Sequence, residues 1–224
     1  EALVDINKAI KINSGDSEYF VQRGRLKYHF EKYEDAIDDF NQAIKLSPDN
    51  FYTYYLIGKT YIKLKKYELA LKFLNKAIDK DHKIHGAFFE RGFIRYKLEE
   101  YENAIKDFNS AISLGDNDTT TFLYLGLSNN QLGNFVMANK NFDTALEKAT
   151  IEEESGGQFD PEDLLSYGFA ALHRGRSNRA EGYFRHALDT FEQNGNLFGQ
   201  GNALGCLGTL AQRMGEYDEA KELL

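Results

Sequence analysis

The sequence predicts an all-α fold, a solenoid of antiparallel helix pairs, and three observations carry that prediction. The same residue types return at a fixed interval: alanine stands at 2, 36, 70, 104 and 138 in steps of 34, then at 180 and 220 after steps of 42 and 40. Self-similarity at such a period marks an architecture of stacked repeats. Within each period, small and bulky residues fall three and four apart, the spacing of one helical face. The 224 residues include 2 Pro against 17 Phe and 14 Tyr, so long helices packed by aromatic rings are expected.

The elements follow from the register. A helix at about 1–12 precedes complete repeats at 17–50, 51–84, 85–118, 119–152 and 161–194, and a sixth repeat starts at 201. In 17–50, Phe20, Gly24 and Tyr28 share one face of a first helix, while Ala36, Phe40, Ala43 and Ile44 share one face of a second. The next three repeats present the same faces through Tyr54, Gly58, Ala70 and Leu74, then Phe88, Gly92, Ala104 and Phe108, then Phe122, Gly126, Ala138 and Phe142. Glycine and alanine let the two backbones approach while the rings fill the sides. Neither helix hides its stripe unaided, so each pair must stack on the next.

The period then breaks. The step of 42 adds eight residues around IEEESGGQFDPED, and 153–160 reads as an acidic, glycine-containing linker with a loop at 155–159. Asp160 followed by Pro161, with Asp163 in the first turn, starts the next helix: a capping side chain, a proline at the first helical position and acids near the positive end. Between 146 and 163 the acids Glu147, Glu152, Glu153, Glu154, Asp160, Glu162 and Asp163 face one base, Lys148. Two readings stand, a solvated acidic loop or a contact for a basic partner. The repeats resume with Leu164, Gly168, Ala180 and Phe184, then Leu204, Gly208, Tyr217 and Ala220. Three segments result: a regular array at 1–152, the linker at 153–160 and longer-period repeats at 161–224.

With these residues in register, the chain resembles the tetratricopeptide repeat (TPR) family, whose 34-residue pattern has a bulky residue, a Gly or Ala, an Ala, an aromatic and an Ala at these places. The resemblance implies a right-handed superhelix. Pro48 is the family's turn proline; Ser14, His82 and Asp116 hold the equivalent places. The segment from Asn194 to Ala220 resembles the 40-residue TPR variant of scaffold proteins. Both ends fall inside a repeat, so a fragment of a longer protein is expected.

The resemblance also implies a concave surface lined by the first helices. Carried over by register, it gives a peptide-binding groove of Arg25, Tyr28, Tyr55, Lys59, Lys63, Phe89, Phe93, Tyr96, Lys97, Leu123, Leu127, Leu165 and Phe169. That lining is apolar, with bases toward its N-terminal half, and suits a protein or peptide ligand with apolar anchors and acidic residues. The chaperone-tail clamp of some family members is not matched, since Val21, Tyr55 and Phe89 stand where its lysine would be.

Composition excludes other classes. A net charge of −8 and a pI near 5.2 argue against nucleic acid. No apolar run reaches the roughly 18 residues of a membrane span, so insertion is not expected and a cytoplasmic location is. The single cysteine, Cys206, makes no internal disulfide and reads as a small packed residue. His82 and His85 read as turn residues, and Asp35, Asp38 and Asp39 as a solvated face. No nucleophile and base pair, phosphate loop, metal set or cofactor motif is present, so catalysis is not expected. The sequence thus predicts an interaction scaffold; the alternatives are a regulatory or sensor module of a larger enzyme and an architectural subunit of a large assembly.

Overall fold

A computed structural model describes residues 2–215. Tyr217 and Ala220, through which the repeat was traced into a last helix, lie outside the described residues. The described residues form twelve helices: α1 (Ala2–Ile12), α2 (Ser17–His29), α3 (Tyr33–Leu46), α4 (Phe51–Lys63), α5 (Tyr67–Lys80), α6 (His85–Lys97), α7 (Tyr101–Ser113), α8 (Thr119–Gln131), α9 (Phe135–Glu154), α10 (Pro161–His173), α11 (Ser177–Gln193) and α12 (Leu197–Met214). They fall into two compact units that divide between Asp116 and Asn117. The break in period at 155–160 therefore lies inside the second unit.

In the first unit α2 packs on α3, α4 on α5 and α6 on α7, and each pair leans on the next through α3–α4 and α5–α6. In the second, α8 packs on α9 and α10 on α11, α12 closes against α11, and α10 also touches α8 and α9. These are the helix pairs the spacing predicts. Their closeness has a local cause. A Cβ built on Gly24 would lie 2.5 Å from the Phe40 ring, one on Gly92 2.9 Å from Phe108, and one on Gly126 2.6 Å from Phe142. Each glycine admits a ring that is itself fully enclosed. Burying such a side chain contributes roughly 1.5–3 kcal/mol.

The turn inside each pair is a repeated C-cap. Lys32 N–H donates to the Lys27 carbonyl at 2.9 Å and Glu100 N–H to the Arg95 carbonyl at 2.8 Å, each closing a six-residue ring over a left-handed residue. That residue is Glu31, Lys65 and Glu99 in the first unit, at φ of 59°, 55° and 62°, and Gly133 and Gly175 in the second; Gly215, which ends α12, is left-handed as well.

Three expectations are corrected. The helix α9 extends through Glu154 and takes in Glu153 and Glu154, which had been assigned to the linker. Residues 152 and 153 are tied down: Glu152 accepts from Thr119 Oγ1 at 2.9 Å and Glu153 lies 4.0 Å from Arg179, so the helix ends only where Gly156 turns left-handed at φ 81°. The helix α12 starts at Leu197, ahead of residue 201, because Asn196 caps it by accepting from Gly199 N–H at 3.0 Å. Asp39 is buried rather than solvated, since Arg23 and Lys27 converge on it. Elsewhere the local readings hold, except at His85. Asp160 accepts from Glu162 N–H at 3.0 Å with Pro161 as the first helical residue. Cys206 is half-buried against the second unit's core, and burial pushes its thiol pKa up. His82 sits in a turn as expected, whereas His85 is the first residue of α6 and not a turn residue.

Candidate functional site

In the first unit α2 and α4 lie side by side, and their facing side chains enclose a cavity of about 510 Å³. Four expected groove residues meet there, Arg25 and Tyr28 from α2 with Tyr55 and Lys59 from α4, joined by Gln22 and Tyr52. The reason is helical: these residues are three or four apart on each helix, along the edge of the stripe that packs on α3 and α5, and Tyr28 also reaches α3.

The cavity pairs aromatic walls with cations. The Tyr52 and Tyr55 rings are 5.8 Å apart, and Lys59 Nζ stands 6.0 Å from the Tyr55 ring centre. Gly86 leaves space for the Tyr55 hydroxyl, which would lie 3.1 Å from a Cβ at that position. Arg25 is exposed, with its guanidinium 3.4 Å from Gln22 Oε1. The Tyr28 ring sets edge-on against Tyr33 at 5.5 Å. Burial first, then the charge of Glu90, raises the Tyr28 pKa, so the phenol stays neutral.

Glu90 is the residue that sequence reasoning missed. It is buried on α6, with Oε1 3.7 Å from Lys59 Nζ. Burial raises its pKa, and the charges of Lys59 and Lys63 oppose that rise. The available signal was a lone acid between Phe89 and Arg91 in an otherwise apolar and basic register.

The remaining expected groove residues are not part of this cavity. Lys63 is exposed on α4. On α6, Phe89 and Phe93 are half-buried; the Phe89 ring lies 6.0 Å from Phe108, and Lys97 Nζ is 5.2 Å above Phe93. Tyr96 packs 5.9 Å from Tyr101. In the second unit Leu127 and Leu165 are half-buried against the core, and Phe169 is 45% exposed with its ring edge-on to Phe184. Leu123 departs from expectation. It is fully enclosed in the second unit's core, because α8 is covered by both α9 and α10, and it offers no surface to a ligand. Among the described residues no group of three or more His, Cys, Asp or Glu is placed to hold a metal ion, and no helix is long and apolar enough to cross a membrane.

Comparison with known proteins agrees with this fold. A TPR repeat model matches residues 20–65, and tetratricopeptide repeat models match 52–81 and 85–117. Among solved structures, the APC/C hetero-tetramer Cut9–Hcn1 aligns over 99% of this chain and 41% of its own at 19% identity and TM-score 0.70. TTC0263, a thermophilic TPR protein of Thermus thermophilus, aligns over 85% of this chain and 98% of its own at 19% identity and TM-score 0.63. YrrB, a TPR protein with an unusual peptide-binding site, aligns over 82% of this chain and 91% of its own at 21% identity and TM-score 0.58. No curated protein sequence matches the chain. With family models matching 20–81 and 85–117 and helix pairs of the same kind recurring through α11, the chain carries tetratricopeptide repeats, which form a protein–protein interaction module.

Proposed function

We propose that the first unit holds a peptide or helix of a partner protein in the cavity between α2 and α4, through apolar anchors and acidic side chains. One observation carries this reading: Arg25 and Lys59, both reaching solvent, flank a wall of Tyr28, Tyr52 and Tyr55. Tyrosine supplies rigid contact area with a polar tip, and the two cations attract carboxylates across a partly desolvated surface. Lys63 and Lys97, with Phe89, Phe93 and Tyr96, extend the same character along α4 and α6, while Leu127, Leu165 and Phe169 offer apolar positions in the second unit. The unusual peptide-binding site named for YrrB supports a peptide ligand by likeness of fold. A chaperone C-terminal tail is not the proposed ligand, because Val21, Tyr55 and Phe89 replace the clamp lysine.

The test is selection from a displayed library of random dodecapeptides on the wild-type chain, with Arg25→Glu/Lys59→Glu as the counter-screen and circular dichroism to verify that both are helical. Expected is a consensus combining Asp or Glu with Phe, Tyr or Leu, at least tenfold weaker on the variant. A consensus without acids, or one bound equally by both chains, would overturn the reading.

A further inference from the structure

The outer faces of α3 and α5 carry opposite charge patterns. Opposite its buried stripe of Ala36, Phe40 and Ala43, α3 presents Asp35, Asp38, Gln42 and Lys45, with Glu31 and Asp49 in the flanking turns. The equivalent row on α5 and its turns, 34 residues on, is Lys65, Leu69, Lys72, Lys76, Asp79 and Lys83. Steps of four and three are those of a helix-packing seam. Wherever both rows are charged the signs are reversed: Glu31 against Lys65, Asp38 against Lys72, Lys45 against Asp79 and Asp49 against Lys83. We propose that the two rows form the contact of a homodimer, in which α3 of each copy lies against α5 of the other.

The rows are barely used within the chain. All their residues are exposed except Gln42, which is half-buried, and Leu69 is 40% exposed. Asp49 pairs with Lys80 at 2.8 Å, and Lys76 lies over the Tyr54 and Phe73 rings. Among the described residues, none of the other charged side chains in the two rows has an ion-pair partner. Both helices pack on α4, yet no Cα of α3 lies within 8 Å of one of α5. Complementary rows thus stand side by side without meeting.

Their arrangement calls for a second copy as the occupant. A twofold axis along the helices, midway between α3 and α5, brings two such faces together with α3 of one copy parallel to α5 of the other. Residues of equal height are then opposed, and each reversed pair forms twice per dimer. Asp35 faces Leu69 and Gln42 faces Lys76, so no like charges meet within the rows. An axis across the helices would set α5 against α5, with Lys65 facing Lys83 and Lys72 facing Lys76. A uniformly acidic partner would place an acid on Asp79. The chain's excess of acids does not oppose the contact: the first unit, residues 1–116, holds 19 bases and 19 acids, so the charge of −8 resides in 117–224. Exposed ion pairs contribute little each and are screened by salt, so the dimer is weak and salt-sensitive.

The test is sedimentation velocity on the full chain at low salt, up to about 1 mM protein, where weak association registers. Expected is a monomer–dimer equilibrium whose Kd rises about tenfold or more at about 0.5 M salt. Asp38→Lys and Lys72→Asp should each weaken the dimer about tenfold or more, because each sets like charges opposite one another at both contacts. The double change Asp38→Lys/Lys72→Asp exchanges the charges and should return Kd to within about threefold of wild type. Lys106→Asp, at the same place on α7, should change Kd by less than about twofold. Circular dichroism verifies that every variant is helical. A monomer at every concentration would overturn the proposal. So would a dimer that both single reversals leave intact, an equal loss in Lys106→Asp, or a helical double variant that stays as weak as the singles.

Discussion

Arg91 and Asp107 meet fork to fork: Arg91 Nε donates to Asp107 Oδ2 at 2.9 Å and Nη2 to Oδ1 at 2.8 Å, while Nη1 reaches Asn75 Oδ1 at 2.7 Å. The guanidinium so joins α6 to its own partner α7 and to α5 of the pair before. Arg95 adds a contact to Asp107 at 2.6 Å. Two repeats earlier the arrangement recurs, with Arg23 on Asp39 at 2.9 and 2.6 Å, on Asn7 at 2.7 Å, and Lys27 on Asp39 at 2.8 Å. The repeat between them holds Ile57 and Phe73 in the equivalent places, both in an apolar cluster with Ala36 and Phe40. The module alternates ionic and apolar solutions to the same joint.

That alternation predicts a rescue. Asp107→Ala leaves the largely enclosed Arg91 without its acceptor and should destabilise the chain by about 3–5 kcal/mol. The double change Arg91→Ile/Asp107→Phe copies Ile57 and Phe73, and should return stability to within about 1–2 kcal/mol of wild type. Urea unfolding of Arg91→Ile, Asp107→Phe and the double closes the cycle. If the double is as unstable as the sum of the singles, the apolar repeat is not an alternative to the pair.

The helix pairs were legible because their stripe is local: Gly24 and Tyr28, or Ala36 and Phe40, sit on one helix at helical spacing. The joint at Arg91 and Asp107 was not, since its partners lie on different helices 16 residues apart and its third member, Asn75, comes from the preceding pair. Asp39 therefore looked like one more acid beside Asp35 and Asp38. The cavity between α2 and α4 was half legible: register located Arg25, Tyr28, Tyr55 and Lys59, but Glu90 reaches Lys59 from the next helix pair, and no periodicity within α4 announces it. Leu123 failed for the same reason, as its burial depends on what α10 covers.

The turn positions give a stability prediction. Glu31, Lys65 and Glu99 adopt left-handed conformations that Gly133, Gly175 and Gly215 occupy in the second unit. A side chain there costs of order 1 kcal/mol that glycine avoids. Replacing Glu99 by Gly should therefore stabilise the chain by about 1 kcal/mol, and the three changes together should be close to additive. Thermal and urea unfolding would measure it; a loss of stability would show that these side chains make contacts worth more than the backbone strain.

Glycines inside helices divide by what faces them. A Cβ on Gly92 would meet Phe108 at 2.9 Å and Asp107 Cβ at 3.2 Å, whereas one on Gly182 or Gly201 meets nothing within 4 Å. Gly92→Ala should cost about 1–3 kcal/mol through overpacking. Gly182→Ala and Gly201→Ala should each gain about 0.5–1 kcal/mol from helix propensity. Equal effects at the three sites, read by urea unfolding, would mean that helix-pair approach does not depend on the missing Cβ.

Glu90 ties stability and binding to pH. Burial raises its pKa above the usual 4.5, against the opposing pull of Lys59 and Lys63. A carboxyl whose pKa is higher folded than unfolded holds its proton more tightly in the folded chain. The resulting stability is fully present below the unfolded value and is lost as pH rises through the folded one. Glu90→Gln keeps the neutral shape at every pH, so the variant should be more stable than wild type at pH 7, with the gap closing as pH falls toward 4.5. Removing the negative charge beside Lys59 should also tighten an acidic peptide in the α2–α4 cavity at pH 7. Urea midpoints at the two pH values separate the effects, because the first needs no ligand. A gap of the same size at both would mean that the carboxyl titrates alike in the folded and unfolded chain, and that burial does not raise its pKa.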